Sequence, residues 1–144
     1  MIDIGTNGEM VLGNKDRLAA CSTAAGPAFE GAKIECGMRG ASGAVDHVEY
    51  REGTWNYTTV GSEKAIGICG SGLIDLIACL RKAGIIDESG KLLTEDGTAS
   101  FTLVAAEESG NGSPVYLSQK DVREVQLAKL PLPPAFSFSR KNWA

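Results

Sequence analysis

The opening of the chain alternates apolar and polar residues in short stretches, a pattern typical of β-strands. Apolar residues flank Asp3, a second extended stretch covers residues 9–12, and a third covers residues 17–23. A glycine-rich turn separates the first two stretches, and a Gly-Asn-Lys-Asp turn at residues 13–16 separates the second from the third. The pattern predicts a three-stranded antiparallel meander.

The same alternation recurs in the middle of the chain. Residues 44–50 and 54–60 alternate about an Arg-Glu-Gly turn, which predicts a second hairpin. Shorter apolar stretches predict three more strands, at residues 65–68, 101–106 and 115–117.

Two segments instead have the 3.6-residue period of a helix. The first covers residues 71–83 and ends before Gly84. The second begins after Ser118, with Asp121 in the capping-box position. The apolar residues predicted to face inward are Leu73, Leu76, Ile77 and Leu80 on the first helix and Val122 and Val125 on the second.

Prolines interrupt the second helix after residue 130. We therefore predict one α/β domain over residues 1–129 and a non-native or disordered tail over residues 130–144. A chain of 144 residues with 43% hydrophobic residues is large enough for one packed core.

The charge pattern narrows the class of partner. The net charge is −4, the isoelectric point is about 5.0, and the 14 basic residues are scattered along the chain. This distribution argues against binding to nucleic acid or to an anionic membrane. No apolar run has the length of a bilayer span and no signal peptide precedes the domain, so we expect a cytoplasmic protein whose partners are small molecules or proteins.

The cysteines and the histidine do not form a recognisable metal motif. The four cysteines, Cys21, Cys36, Cys69 and Cys79, contain no C-x-x-C pair, so the sequence predicts neither a zinc site nor an iron–sulfur site. His47 lies in an alternating strand, where it is expected to face solvent or to pack, and we assign it no catalytic role.

The first glycine turn has the composition of a phosphate-binding loop. Without a Cβ at Gly5 an anion can approach the backbone N–H groups, and Thr6 and Asn7 can donate hydrogen bonds to it. Asp3, at the end of the preceding strand, can hold a hydrated Mg²⁺. An ordinary hairpin with a solvated Asp3 explains the same residues, and both interpretations remain open.

A second glycine-rich corner follows the predicted strand at residues 65–68 and opens the first helix. Free N–H groups at a helix N-terminus suit a phosphate, and glycines let a nucleotide lie against the backbone. The G-x-x-G-x-G spacing is not the dinucleotide fingerprint. A packing corner without a ligand is the alternative. The candidate nucleotide-binding residues here are Gly67, Gly70, Ser71 and Gly72.

Alanine at Gly72 would distinguish these two interpretations of the corner. If a nucleotide contacts this glycine, the substitution should weaken ATP binding and leave the melting temperature nearly unchanged. An equal loss of stability and binding would favour packing.

Small residues around a Gly-Pro pair form a third candidate segment. This loop can lay its backbone against a ligand or partner, or begin a short helix after Pro27. Tight packing is the alternative. The candidate residues are Ser22, Thr23, Gly26, Pro27 and Glu30.

Four motifs in this order resemble the C-terminal ATPase domain of the reductive activators of corrinoid proteins. The motifs are DIGTNGE (residues 3–9), CSTAAGPAFEG (residues 21–31), GICGSGLID (residues 67–75) and QKDVREVQLAK (residues 119–129). The resemblance implies a ribonuclease-H-like lobe of the actin, sugar kinase and heat-shock chaperone ATPase superfamily. It also implies ATP with Mg²⁺ as cofactor, a corrinoid methyl-transfer protein as partner, and ATP-driven reduction of Co(II) corrinoid to Co(I).

By this resemblance the first motif is the second phosphate-binding turn of the superfamily, with Asp3 near Mg²⁺ or the attacking water. The third motif is the adenosine-side glycine motif, and the helix after Ser118 is the second connecting helix. The first phosphate turn and the [2Fe–2S] domain of the family have no counterpart in this sequence. We therefore expect one lobe of a two-lobed ATPase, with little activity alone.

Two alternatives remain for this lobe. It is either a non-catalytic docking fragment of the activator or one lobe of a sugar or carboxylate kinase. A homodimer is also expected if apolar residues are left partly uncovered at the start of the chain and on the last helix. The residues in question are Ile2, Ile4, Val122 and Val125.

Overall fold

A computed structural model describes residues 1–4, 7–24, 27–94 and 97–128, and for residues 2, 4, 23 and 24 the backbone alone. The predicted boundary after residue 129 and the predicted tail lie outside the described residues.

The N-terminal segment forms the predicted meander. Strands β1 (Ile2–Ile4), β2 (Asn7–Gly13) and β3 (Leu18–Ala24) pair antiparallel in that order. The Asn14 side chain closes the β2–β3 turn, because its Oδ1 accepts hydrogen bonds from the backbone N–H groups of Asp16 and Arg17 at 2.9 and 3.0 Å.

A second three-stranded sheet lies at the centre of the domain. Strands β4 (Ala44–Arg51) and β5 (Thr54–Thr59) form the predicted hairpin, and β6 (Gly67–Ile68) pairs parallel to β4 on its other side. Glu52 and Gly53 at the hairpin turn have φ values of 50° and 85°, the left-handed pair that a two-residue hairpin loop requires. Strands β7 (Ser100–Val104) and β8 (Val115–Ser118) form a separate antiparallel pair.

Two helices pack on the sheets that follow the meander, one on the central sheet and the other on β8. Helix α1 (Gly70–Lys82) begins one residue before the predicted start, and helix α2 (Gln119–Leu127) follows β8 directly. The predicted capping box is confirmed: Ser118 Oγ accepts from Asp121 N at 3.2 Å, and the Asp121 carboxylate accepts from Ser118 N at 2.9 Å. Neither helix has the length and apolar character needed to cross a bilayer, and no other helix in the described part of the chain has them.

The main hydrophobic core lies between α1, the central sheet and the β7–β8 pair. Among the described side chains, those of this core come from the part of the chain after residue 27, so the meander packs outside it. The most deeply buried large side chains are Val45, Ile68, Leu73, Leu76, Leu80, Ile86, Val104, Val115 and Leu117.

The expectation of partly uncovered valines is wrong for Val122, which is only 2% exposed because α2 lies over the β8 end of the domain. Val125 packs against the core and is only partly buried, as expected. The homodimer stays a prediction. The side chains of Ile2 and Ile4 are not among those that the structure describes.

Candidate functional site

The glycine corner is the junction between β6 and α1, residues 67–72. Cys69 leaves β6 in extended conformation, and its N–H donates to the Val45 carbonyl at 3.0 Å. It occupies the N-cap position of α1, and its own side chain makes no capping hydrogen bond. The first N–H groups of this 13-residue helix therefore lack the usual hydrogen bond from the N-cap side chain, an arrangement that suits an anion.

The glycines of this corner lie against protein backbone. A Cβ on Gly70 would overlap the Phe29 carbonyl oxygen, and one on Gly72 would overlap the Val45 carbonyl oxygen. Gly67 is similarly confined, since a Cβ there would lie 2.8 Å from the Cys36 carbonyl oxygen. Packing against backbone thus accounts for these glycines, and it favours a loss of stability for alanine at Gly72 over the unchanged melting temperature that contact with a nucleotide predicts.

Ser71 is the polar side chain that the corner exposes. Its Oγ lies 3.3 Å from the buried Cys69 Sγ, and the residue itself faces solvent on the first turn of α1. A phosphate or ribose at this helix end would find both the Ser71 hydroxyl and the backbone N–H groups as donors.

The meander brings a second set of polar residues together. Asp3 is directly opposite Glu9, and Glu9 is directly opposite Ser22, so the three share one face of the sheet. Ser22 Oγ donates to Glu9 Oε1 at 3.1 Å. Asp3 and Ser22 were predicted site residues, whereas Glu9 was missed, because only the strand register places it between them.

Carboxylate oxygens of Asp3 and Glu9 are the donor type that a hydrated Mg²⁺ takes. Asn7, another predicted residue, is exposed on β2 opposite Ala24. The predicted residues Gly5, Thr6 and Gly26, and the side chain of Thr23, lie outside the described part of the chain.

The predicted partner loop forms a one-turn 3-10 helix, Pro27–Glu30, as the proline indicated. Ala28 is buried in the core, and Glu30 is half-buried. This turn follows β3 and packs against α1, where the Phe29 carbonyl meets Gly70. The loop therefore joins the meander to the glycine corner.

A polar cluster that the motifs did not reveal lies beside α2. Tyr116 Oη donates to Glu35 Oε2 at 2.6 Å, and Asp121 Oδ1 accepts from the Glu35 backbone N–H at 2.9 Å. Burial raises the pKa of the neighbouring Cys36 thiol, whose Sγ accepts from Tyr116 N at 3.5 Å. No local pattern signals this cluster, since about eighty residues separate its halves.

The Tyr116 phenol supplies a prediction about alkaline stability. Its hydrogen bond to Glu35, together with the carboxylate charge, raises the pKa of Tyr116 from 10.0 to about 12. Because the pKa of Tyr116 is higher in the folded than in the unfolded chain, the protonated phenol stabilises the folded state fully below the unfolded value of about 10. We expect this contribution to the free energy of unfolding to be lost as pH rises from about 10 to about 12. Phenolate absorbance should show one late-ionising tyrosine, which Tyr116→Phe removes.

Glu35→Gln should move that ionisation to lower pH, because the negative neighbour is gone. Tyr57→Phe, at an exposed tyrosine, is the matched control and should leave the late ionisation in place. A late ionisation that persists in Tyr116→Phe would contradict the assignment.

His47 makes a surface pair outside these sites. Its side chain is 60% exposed, as expected for a solvent-facing strand position, and its Nδ1 lies 2.5 Å from Asp75 Oδ2 on α1. In the described part of the chain, no group of three or more histidine, cysteine or acidic residues is arranged to bind a metal.

Comparison with known proteins extends these observations. The family described as the C-terminal domain of RACo, the ASKHA domain, matches residues 1–135. The chain is 40% identical to the corrinoid activation enzyme RamQ of Eubacterium limosum over 145 aligned residues, covering 90% of this chain and 24% of that protein. It is 32% identical to the [Co(II) methylated amine-specific corrinoid protein] reductase of Methanosarcina barkeri over 135 aligned residues, covering 75% of this chain and 25% of that protein.

A solved structure gives the same result. The reductive activator for corrinoid, iron-sulfur protein superposes with a TM-score of 0.79 at 49% identity, covering 89% of this chain and 22% of that one. The chain thus spans about a quarter of the length of the relatives it matches. The family match, the sequence identity and the shared fold together establish that the chain belongs to the C-terminal ASKHA, or actin-like ATPase, domains of the reductive activators of corrinoid proteins.

Proposed function

We propose that this domain is the ATP-binding lobe of a reductive activator that couples ATP to the reduction of Co(II) corrinoid on a methyl-transfer protein. The observation that carries the proposal is the N-terminus of α1 at the glycine corner, where the N-cap residue Cys69 makes no side-chain hydrogen bond, in a domain of the ASKHA family. The relatives named above are a corrinoid activation enzyme and a corrinoid protein reductase, which supports a corrinoid protein as the partner.

Each group of site residues has a separate role in this proposal. The N–H groups at the start of α1 and the Ser71 hydroxyl bind the nucleotide, with Gly67, Gly70 and Gly72 keeping the corner tight against the sheet. Gly5, Thr6 and Asn7 bind the phosphates through backbone N–H and side-chain donors. Asp3 holds Mg²⁺ through water, and its position opposite Glu9 adds a second carboxylate to that role.

In the whole activator, a [2Fe–2S] cluster held by another domain would supply the electron, and ATP would supply the free energy for its delivery to the corrinoid. The residues of this chain bind and orient the nucleotide, and Asp3 orients the attacking water. Because an ATPase of this superfamily closes its site between two lobes, a single lobe makes only part of the contacts. Each lost charge-assisted hydrogen bond removes about 1.5–3 kcal/mol of binding free energy, so we expect weak binding of Mg-ATP by this chain alone.

A chimera tests the proposal. In the solved activator that is 49% identical, the matched segment is replaced by residues 1–128 of this chain. We expect the chimera to hydrolyse ATP, measured as phosphate release, and to reduce Co(II) corrinoid, measured from the corrinoid absorbance. Asp3→Asn should lower ATP hydrolysis by about a hundredfold or more, the size seen when one charge-stabilising group is removed.

The matched control is Asp16→Asn, the same chemical change in the exposed β2–β3 turn, and it should leave the rate unchanged. A folded chimera that does not bind ATP would overturn the proposal and favour the docking fragment. Micromolar ATP binding and steady hydrolysis by the chain alone would contradict the expectation that a second lobe is needed.

A further inference from the structure

The segment of residues 28–38, here called the bridging segment, lies between α2 and the glycine corner. It begins within the one-turn helix Pro27–Glu30 that packs on α1, and it pairs with β6 through a parallel bridge between Gly37 and Ile68. Its two sides are held by different kinds of contact.

On the α2 side the contact is a buried carboxylate. Asp121 is 0% exposed, and both of its oxygens act as acceptors. Oδ2 accepts from Ser118 N at 2.9 Å and from Ser118 Oγ at 2.8 Å, which caps α2. Oδ1 accepts from the backbone N–H of Glu35 at 2.9 Å, which holds the bridging segment. A buried charge is tolerated only with such donors, so the position of Glu35 is closely specified.

On the corner side the contacts are backbone to backbone. Ile68 N donates to the Cys36 carbonyl at 2.8 Å, and Met38 N donates to the Ile68 carbonyl at 2.9 Å. At the other end of the segment, the Phe29 carbonyl touches Gly70 so closely that a Cβ does not fit. The bridging segment therefore forms one wall of the corner.

We propose that Asp121 is a positioning residue for the nucleotide corner: it clamps the bridging segment onto β6 and so sets where the first turn of α1 presents its N–H groups. This inference rests on the proposed function for its final step, the binding of a nucleotide. Asp121 itself lies at the start of α2 and acts through Glu35, Cys36 and Ile68.

Two substitutions separate the clamp from the helix cap. In Asp121→Asn only one side-chain oxygen remains. We expect this oxygen to stay at the helix cap, because two Ser118 groups, the backbone N–H and the hydroxyl, donate to it there. The NH₂ group then faces the Glu35 N–H, so donor opposes donor and the clamp opens. Ser118→Ala removes the hydroxyl from the cap, together with its long 3.4 Å contact to Glu35 Oε1, and leaves Asp121 Oδ1 in place to accept from the Glu35 N–H.

Amide hydrogen exchange on this chain reports on both contacts, the clamp between Asp121 and Glu35 and the cap of α2. In Asp121→Asn we expect the Glu35, Met38 and Ile68 amides to exchange about ten- to a hundredfold faster, the loss expected for a hydrogen bond to a charged group. In Ser118→Ala the faster exchange should stay within the first turn of α2. A uniform acceleration along the whole chain in Asp121→Asn, or one limited to α2, would overturn the inference, because a purely structural role predicts those patterns.

If Asp121→Asn does not fold in buffer, exchange is measured in sucrose, an excluded osmolyte that stabilises the folded state, with Ser118→Ala under the same conditions. Faster exchange at Glu35, Met38 and Ile68 in Asp121→Asn than in Ser118→Ala would support the clamp. Equal exchange at these amides in the two variants would overturn it.

The nucleotide step is measured in the chimera with ATP as the probe. Asp121→Asn should weaken ATP binding by about tenfold relative to Ser118→Ala, because the corner shifts only when the clamp opens. If the unsubstituted chimera binds no ATP, the proposed function fails while the exchange result still decides the clamp. If Asp121→Asn alters exchange at Ile68 but binds ATP as tightly as Ser118→Ala, the positioning role is overturned.

Discussion

Gly72→Ala is expected to lower the free energy of unfolding by about 3 kcal/mol or more, or to prevent folding altogether. A Cβ at this position overlaps the Val45 carbonyl oxygen, where α1 lies against β4 and where Gly72 and Val45 are both buried. Overpacking of this kind costs about 1–3 kcal/mol for flexible side chains and more where a backbone atom must move, which exceeds the roughly 1 kcal/mol that alanine gains over glycine in a helix. Urea denaturation followed by circular dichroism measures the loss.

Gly40→Ala is the matched control. Apart from its two chain neighbours, no described residue has an atom within 4 Å of a Cβ built on Gly40, and Gly40 does not adopt a left-handed conformation. The substitution should change the free energy of unfolding by less than about 0.5 kcal/mol. A Gly72→Ala variant as stable as Gly40→Ala would show that α1 does not pack against Val45 as described.

Leu76→Ala should cost about 3–4 kcal/mol, because it leaves a cavity at the centre of the core. Leu76 is 0% exposed and lies on the face of α1 that packs on the central sheet. A loss of this size would be a large fraction of the marginal stability of a small domain. The midpoint of urea denaturation is the measurement.

Leu127→Ala makes the same chemical change at a residue that is 77% exposed at the end of α2. It should alter the free energy of unfolding by less than about 0.5 kcal/mol. Equal losses for the two leucines would contradict a core centred on α1 and the sheet.

These two predictions also bear on function. The same face of α1 that fills the core ends in the glycine corner, so the packing of Leu73 and Leu76 sets the direction of the helix N-terminus. The donors proposed to bind the nucleotide are therefore held by the core and by the bridging segment together. A variant that loosens either one should affect the corner.

Most of the secondary structure was predictable from the sequence, because its signals are local. The Gly-Asn-Lys-Asp turn specified the β2–β3 hairpin through the Asn14 side chain. The 3.6-residue period specified α1, and Ser118 with Asp121 specified the start of α2. Each of these signals lies within a few residues of the element it specifies, so hydrogen bonding and side-chain periodicity act there without help from distant parts of the chain.

The environment of the site residues depended on the tertiary structure. From the sequence alone, Gly70 and Gly72 were compatible both with a ligand site and with a packing corner. Only the fold shows that the carbonyls of Phe29 and Val45 lie against these two glycines. Glu9 joins Asp3 and Ser22 only through the strand register. Glu35 and Asp121 meet across 86 positions of the chain. Such contacts arise from how elements pack, and the energy of burying a carboxylate or excluding a Cβ depends on atoms that no local window of sequence contains.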